Sequence, residues 1–263
     1  MNHWRGRWAL VTGASAGIGR ALAEQLAAGG ANLVLTARRA DRLEELAVNL
    51  SARHGIRAAI CAADLAQTQA PQQIHDFCRR EGAGVDVLIN NAGFGGYGEF
   101  HSVDPARMLE MVQVNCSAVV ALTRLFLPAM VERRKGDVLI VASTAGFQAV
   151  PYITTYAATK GFDLLFAEGL AEEVRPYGVR VCCLCPGSTQ TEFHEVAHQP
   201  EHTRHGQETA EKVACVGLQA LAAGKSYVIS GLGNYLGTHG QRLVPRRFVS
   251  RITAGMFRPK AHS

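Results

Sequence analysis

No acidic residue follows Glu211 in this chain of 263 residues, whereas eight lysines and arginines do, so the formal charge of +5 resides in the tail and the body before it is net acidic. A disulfide framework is also missing. The seven cysteines are odd in number and lack scaffold spacing, which excludes a small disulfide-stapled secreted fold and indicates reduced thiols. Cys182 and Cys185 form a C-x-x-C, but Cys183 and apolar neighbours surround them, and buried small hydrophobes account for them better than redox chemistry or zinc. No apolar run is read as reaching the length of a membrane span, and no charged lead with an apolar stretch precedes the first strand, so a cytoplasmic location is expected. Internal repeats and composition breaks are absent too. A single α/β domain with a large core is the economical reading.

What is present is an alternation of two hydrophobic periods. Short apolar runs at Trp8–Val11, Asn32–Thr36, Arg57–Cys61, Val85–Ile89, Val138–Ala142, Val179–Leu184 and Tyr227–Ser230 read as strands. Helical stretches lie between them at Gly17–Ala28, Asp41–His54, Pro71–Glu81, Pro105 towards Met130, Thr154–Arg175 and Thr209–Ala222. Asp104 is the expected cap of the fourth helix, with Pro105 in its first turn. Strands joined by crossover helices predict a Rossmann-like, doubly wound parallel sheet of about seven strands with helices on both faces. Ligands of such sheets bind at the carboxyl ends of the strands.

Three groups of residues fall at such ends. After the first strand, Gly13, Gly17 and Gly19 space a turn that leads into a helix, so backbone N–H groups and the helix N-terminus face an anion. Further along, Tyr156 and Lys160 sit four apart on one helix, which puts an ammonium beside a phenol and is expected to lower the phenol pKa from its ordinary value near 10. Ser143 ends the preceding strand. A phenol, an ammonium and a hydroxyl can together move a proton to or from a carbonyl oxygen.

With these motifs the chain resembles the short-chain dehydrogenase/reductase family, from about Trp8 to about Ile229. The resemblance is carried by Thr12–Gly19, by Asn90-Asn91-Ala92-Gly93, by Ser143, Tyr156 and Lys160, and by Pro186-Gly187. It implies an NADP(H)-dependent carbonyl/alcohol oxidoreductase whose catalytic set is Asn115, Ser143, Tyr156 and Lys160. Asn115 would position a water linked to Lys160, and Lys160 would also bind the nicotinamide ribose. The implied cofactor contacts are Gly13, Ser15, Gly17, Ile18, Gly19, Asp64, Leu65, Asn91, Ala92, Gly93, Pro186, Gly187, Ser188, Thr189 and Thr191. Residues 1–230 are read as the dinucleotide-binding catalytic domain and 231–263 as a basic amphipathic extension of it.

Cofactor choice is read from another absence. An enzyme selective for NAD would place an acid at the end of the second strand to hold the ribose hydroxyls. Here the chain runs Thr36-Ala37-Arg38-Arg39, which favours a 2'-phosphate, with Arg38 as the expected main contact and Ser15 as its helper. The alternative is a pair of solvated arginines ahead of a helix.

Two further motifs compete for attention. Gly13-Ala14-Ser15-Ala16-Gly17 matches a hydrolase nucleophile elbow, but that reading leaves Gly19, Tyr156 and Lys160 unexplained. His194-Glu195-Val196-Ala197-His198 spells H-E-x-x-H, with His202 and His205 downstream; Pro200 soon ends any helix there, so no metal is expected. Phe94, Tyr97, Phe147 and Phe193 are expected to line an apolar substrate pocket, which suits a hydrophobic ketone or aldehyde, a 3-oxoacyl thioester or a steroid-like ketone. A small-molecule substrate, no nucleic acid and a homo-oligomer are the expected partners. The tail, with Leu243, Phe248, Ile252 and Met256 among its arginines, leaves three docking options: the body, a second subunit or an anionic membrane. A dinucleotide-binding regulator without turnover is the alternative of another class; retention of Ser143, Tyr156 and Lys160 favours the enzyme.

Overall fold

A computed structural model describes residues 3–204 and 206–259. His205, downstream of the H-E-x-x-H, and Lys260 of the basic tail lie outside the described residues. The central sheet contains seven parallel strands, β1 (Trp8–Thr12), β2 (Asn32–Ala37), β3 (Ala58–Ala62), β4 (Val85–Asn90), β5 (Gly136–Val141), β6 (Val179–Cys185) and, after two short strands, β9 (Tyr227–Ile229). Their spatial order is β3-β2-β1-β4-β5-β6-β9. The order reverses between β1 and β4, which opens a crevice at the carboxyl ends of those two strands. Thr189–Gln190 (β7) and Glu208–Thr209 (β8) pair in parallel outside the main sheet.

Helices α1 (Gly17–Ala28), α2 (Ala40–His54) and α3 (Ala70–Arg80) follow the first three strands. The fourth predicted helix is continuous but changes pitch: α4 (Pro105–Val112) runs through a π turn at Gln113–Ser117 into α5 (Ala118–Glu132). The side chain of Asp104 accepts from the Ala106 N–H, as the capping pattern implied. Then come α6 (Thr154–Val174), the short α7 (Phe193–Val196), α8 (Ala210–Ala222), α9 (Leu232–Gly240) and α10 (Arg246–Phe257). Two apolar layers cover the two faces of the sheet. One joins Leu10, Leu88, Val138 and Ile140 to α3, α5 and α6, and the other joins Val11, Leu35, Ile89 and Leu139 to α1, α2 and α8.

One expectation needs correcting. The segment Pro105–Glu132 has the length and hydropathy of a membrane span, with a mean hydropathy of 1.6 in its most apolar window. Half of that window is buried against the rest of the protein, including Leu122 and Phe126 in the core, so its apolar character is accounted for by packing. The three cysteines of β6 are buried as small core side chains, and burial pushes the Cys182 thiol up to about 12.

The tail docks on the body. Thr253 Oγ1 of α10 donates to the carbonyl of Ala149 at 3.1 Å, and the Tyr97 hydroxyl donates to the carbonyl of Phe257 at 2.8 Å.

Candidate active site

The glycine turn is shaped by strand β4. Thr12 Oγ1 accepts from the backbone N–H groups of Asn91 and Ala92, each at 2.9 Å, while the Asn91 amide donates to the Thr12 carbonyl at 2.8 Å. Gly13 adopts φ +67, a conformation that side chains disfavour, and a Cβ on Gly19 would run into the Gly13 carbonyl and the Asn91 amide. Ala16 caps α1 without any side-chain hydrogen bond, so the first N–H groups of that helix stay available to a ligand. These features fit a dinucleotide pyrophosphate: a cradle too narrow for a Cβ, beside a helix N-terminus with no side-chain cap.

One cleft of about 610 Å³ runs from this turn to α10. It brings together the cofactor residues expected from the sequence other than Asn115, from Gly13, Ser15, Gly17, Ile18 and Gly19 through Arg38, Arg39, Asp64 and Leu65 to Asn91, Ala92 and Gly93. Pro186, Gly187, Ser188, Thr189 and Thr191 form its other wall. Ser143, Tyr156 and Lys160 lie in the same cleft, and Ser143 and Lys160 are buried.

The electrostatics differ from the simplest expectation. Burial raises the Tyr156 phenol above its ordinary value, and the Lys160 ammonium and a hydrogen bond from Ser143 offset this only in part. The cause is visible in the geometry. Lys160 Nζ is 6.0 Å from the centre of the tyrosine ring and donates instead to Asp163 Oδ2 at 2.9 Å and to the Val141 carbonyl at 2.8 Å. Burial by itself would lower the Lys160 pKa, but Asp163 and Tyr156 outweigh it and the net shift is upward. The phenol therefore stays protonated, which suits a proton donor.

Asp163 is the residue that sequence reasoning missed. It is buried, its own carboxyl is raised by burial against the pull of Lys160, and its Oδ1 has no hydrogen-bond partner among the described residues. The signal was present, because Lys160 and Asp163 are three apart on one helix and share a face.

The hydrogen bonds of the Asn115 side chain go to Phe94 and Thr159, and none to Lys160 is found among the described residues. Asn115 lies in the π turn, fully buried, and its Oδ1 accepts from the Phe94 N–H at 3.1 Å while its amide donates to the Phe94 carbonyl and to Thr159 Oγ1, both at 3.0 Å. The residue fixes the Phe94 backbone, and π turns of this kind recur at functional sites.

The substrate end also differs from expectation. Phe94 and Phe193 line the cleft, with the Phe193 ring 5.2 Å from that of Tyr156. Tyr97 and Phe147 do not line it: Tyr97 supports α10, and Phe147 packs beside Tyr227 with ring centres 6.2 Å apart. In their place Val114, Val150, Ile153, Thr253, Met256 and Phe257 complete the wall. The tail residues could have been found only from the long-range docking of α10.

The remaining motifs have structural roles. Ser15 is buried and accepts from Arg39 Nη2 at 3.0 Å, so it is no exposed nucleophile. Helix α7 ends at Val196. His194 is buried, with Nδ1 2.9 Å from Gln199 Oε1 and Nε2 3.1 Å from Ser188 Oγ, whereas His198 is exposed at φ +51. The two imidazoles do not share a helix face.

A glycine-turn cleft at the sheet's switch point, joined to a Ser/Tyr/Lys set in which Ser143 and Lys160 are buried and Tyr156 is half-buried, defines a dinucleotide-dependent oxidoreductase of the α/β class. Residues 7–202 match the family model for short chain dehydrogenase, and the chain belongs to that family. Among its relatives are very-long-chain 3-oxoacyl-CoA reductases: the one from Bos taurus is 34% identical over 84% of this chain and 72% of its own length, and the one from Mus musculus is 32% identical over 95% and 79%. The relative from Phaeosphaeria nodorum is 36% identical over 68% of the chain, which spans about half of that protein, 54% of its length. In structure, a short-chain dehydrogenase from Sphingobium yanoikuyae in complex with NADPH superposes with a TM-score of 0.83 at 26% identity, covering 98% of both chains. A 7beta-hydroxysteroid dehydrogenase superposes with a TM-score of 0.86 at 25% identity, covering 96% of this chain and 98% of its own.

Proposed function

We propose that this chain is an NADP(H)-dependent reductase of hydrophobic carbonyl compounds, with 3-oxoacyl thioesters as the leading substrate class. The observation that carries the reading is the position of Tyr156, whose phenol lies where the dinucleotide cleft meets an apolar pocket and is held protonated by burial. When bound, the reduced cofactor supplies a hydride to the carbonyl carbon. Tyr156 gives its proton to the carbonyl oxygen, and Ser143 stabilises that oxygen by a hydrogen bond as negative charge develops on it. Lys160, kept cationic beside Asp163, adds positive potential behind the phenol and would bind the ribose of the nicotinamide half. Arg38 and Arg39 at the end of β2 favour the phosphorylated dinucleotide.

The wall of Phe94, Val114, Val150, Ile153 and Met256 suits an acyl chain, and the named relatives support that class. The hydroxysteroid dehydrogenase among the structural neighbours favours a second reading, a steroid-like ketone in the same apolar pocket. NADPH oxidation followed across 3-oxoacyl-CoA esters, steroid ketones and small aldehydes tests both. Turnover rising with acyl chain length supports the first, and turnover of small polar carbonyls alone contradicts both.

The reading extends to the surface of α10. Phe248, Ile252 and Met256, spaced four apart, form an exposed stripe beside exposed Arg247 and Arg251, with no acid anywhere in the tail. Such a face complements an anionic lipid surface, and Met256 belongs both to the stripe and to the cleft wall. Co-sedimentation with phosphatidylserine vesicles but not with phosphatidylcholine vesicles, lost in a R247E/R251E variant, is the expected result. Self-association through this face would instead appear as a change of mass by light scattering. Cytoplasmic residence and a homo-oligomeric state belong to the same proposal, tested by fractionation and by that mass.

A further inference from the structure

Glu192 ties the wall of the cleft that follows Pro186-Gly187 to the end of β2 and the start of α2. It stands between Thr191, which approaches Gly17, and Phe193, which packs on Tyr156. Glu192 Oε2 accepts from Arg39 Nη1 at 2.7 Å, and Oε1 accepts from Arg42 Nη1, also at 2.7 Å. Arg39 turns its other two nitrogens onto Ser15 Oγ, with Nη2 at 3.0 Å and Nε at 3.3 Å. Arg38, Arg39, Ser15 and Glu192 all line the same cleft. A carboxylate thus sits on one of the guanidinium groups that the end of β2 offers to a 2'-phosphate, and the arginines hold its pKa below the ordinary carboxylate range.

We propose that Glu192 is a specificity-determining residue, an internal carboxylate that occupies Arg39 in the free protein and must give it up when the 2'-phosphate of NADP(H) arrives. This rests on the NADP(H) reading above. Two like charges cannot share the Arg39 fork, and a phosphate brings more charge and more acceptor oxygens than a carboxylate. The Arg39 and Glu192 side chains are 40% and 43% exposed, so their ion pair is water-screened and weak enough to be displaced. NADH, which has no 2'-phosphate, leaves the pair in place. Glu192 therefore subtracts from NADP(H) affinity without subtracting from NADH affinity, and it couples arrival of the phosphorylated cofactor to release of the wall that carries α7.

The test is direct binding without substrate. Wild-type protein and E192Q are titrated by calorimetry with NADPH, NADH, 2',5'-ADP and 5'-AMP. The expected result is NADPH and 2',5'-ADP binding about three- to fivefold tighter in E192Q, the upper scale of one exposed ion pair, with NADH and 5'-AMP within about twofold of wild type. Trypsin should also cut at Arg204 faster in free E192Q than in free wild type, and faster in wild type with NADPH than with NADH. Unchanged or weaker NADPH binding in E192Q overturns the proposal, as does an equal gain for all four ligands. If wild-type protein binds 2',5'-ADP no better than 5'-AMP, the NADP(H) reading fails and this inference falls with it. If it does prefer 2',5'-ADP and E192Q changes nothing, the inference alone fails.

Discussion

Two buried aspartates at opposite ends of strand β5 are treated differently by the fold. Asp137, at the amino end, is fully saturated: its Oδ2 accepts from Trp4 Nε1 at 2.7 Å and from Arg7 Nη1 at 3.2 Å, and its Oδ1 accepts from Arg180 Nε at 2.6 Å. At the carboxyl end, the Val141 carbonyl and Asp163 share Lys160, and Asp163 keeps one oxygen without a partner. The first arrangement ties the N-terminal segment, β5 and β6 together. The second leaves a buried charge only partly neutralised beside the reacting groups, a costly state that functional sites retain and structural hubs avoid.

The largest expected effect breaks the structural end. Asp137→Ala leaves Arg180 and Arg7 facing each other without a counter-ion and removes a buried acceptor from Trp4. We expect a loss of about 3–5 kcal/mol in unfolding free energy, measured by urea denaturation, with the kcat of the folded fraction unchanged. A comparable fall in kcat would show that the two ends of β5 are not independent.

A smaller effect on stability and a larger one on chemistry should follow at the other end. Asp163→Asn removes one charge-assisted hydrogen bond, about 1.5–3 kcal/mol. Asp163 holds the Lys160 pKa up against burial, so without it the ammonium loses its proton at lower pH. The alkaline limb of the pH–kcat profile should therefore move to lower pH. An unmoved limb would make Asp163 a packing residue only.

The smallest effect concerns the wall between the two. His194→Ala removes contacts to Ser188 and Gln199, each worth about 1 kcal/mol, and should raise KM for cofactor or substrate while kcat stays broadly intact. Chelation with EDTA should leave activity unchanged. A kcat that collapses with the histidine or with the chelator would return the H-E-x-x-H to the chemistry.

The difference between the two ends also explains what could be read from the chain. Strands, helices and the glycine turn depend on local period and spacing, and their positions match to within a residue or two. Ser143, Tyr156 and Lys160 were legible because each sits at a strand end or on one helix face. The clasp of Glu192 on Arg39, the capping of the cleft by Thr253 and Phe257 and the hub at Asp137 join residues a hundred or more positions apart, and no local pattern encodes such contacts. Tyr97 and Phe147 were misplaced for a related reason. A loop aromatic near a strand end can turn towards the cleft or away from it, and here the docking of α10 took Tyr97 while Tyr227 took Phe147. The lowered phenol pKa expected from the Tyr156/Lys160 pairing overlooked burial, which raises the phenol by more than the Lys160 ammonium lowers it.

If a half-buried, protonated Tyr156 delivers the proton in carbonyl reduction, the Tyr156→Phe variant shows it most directly. Purified wild-type and variant proteins are given NADPH and a long-chain 3-oxoacyl-CoA, with NADPH binding measured separately by fluorescence. The account predicts a loss of about 10²–10⁴ in kcat with NADPH affinity nearly unchanged, because the ring keeps its packing and only the proton donor is gone. A variant that turns over within a few-fold of wild type, or one that loses NADPH binding in proportion to its rate, would contradict it.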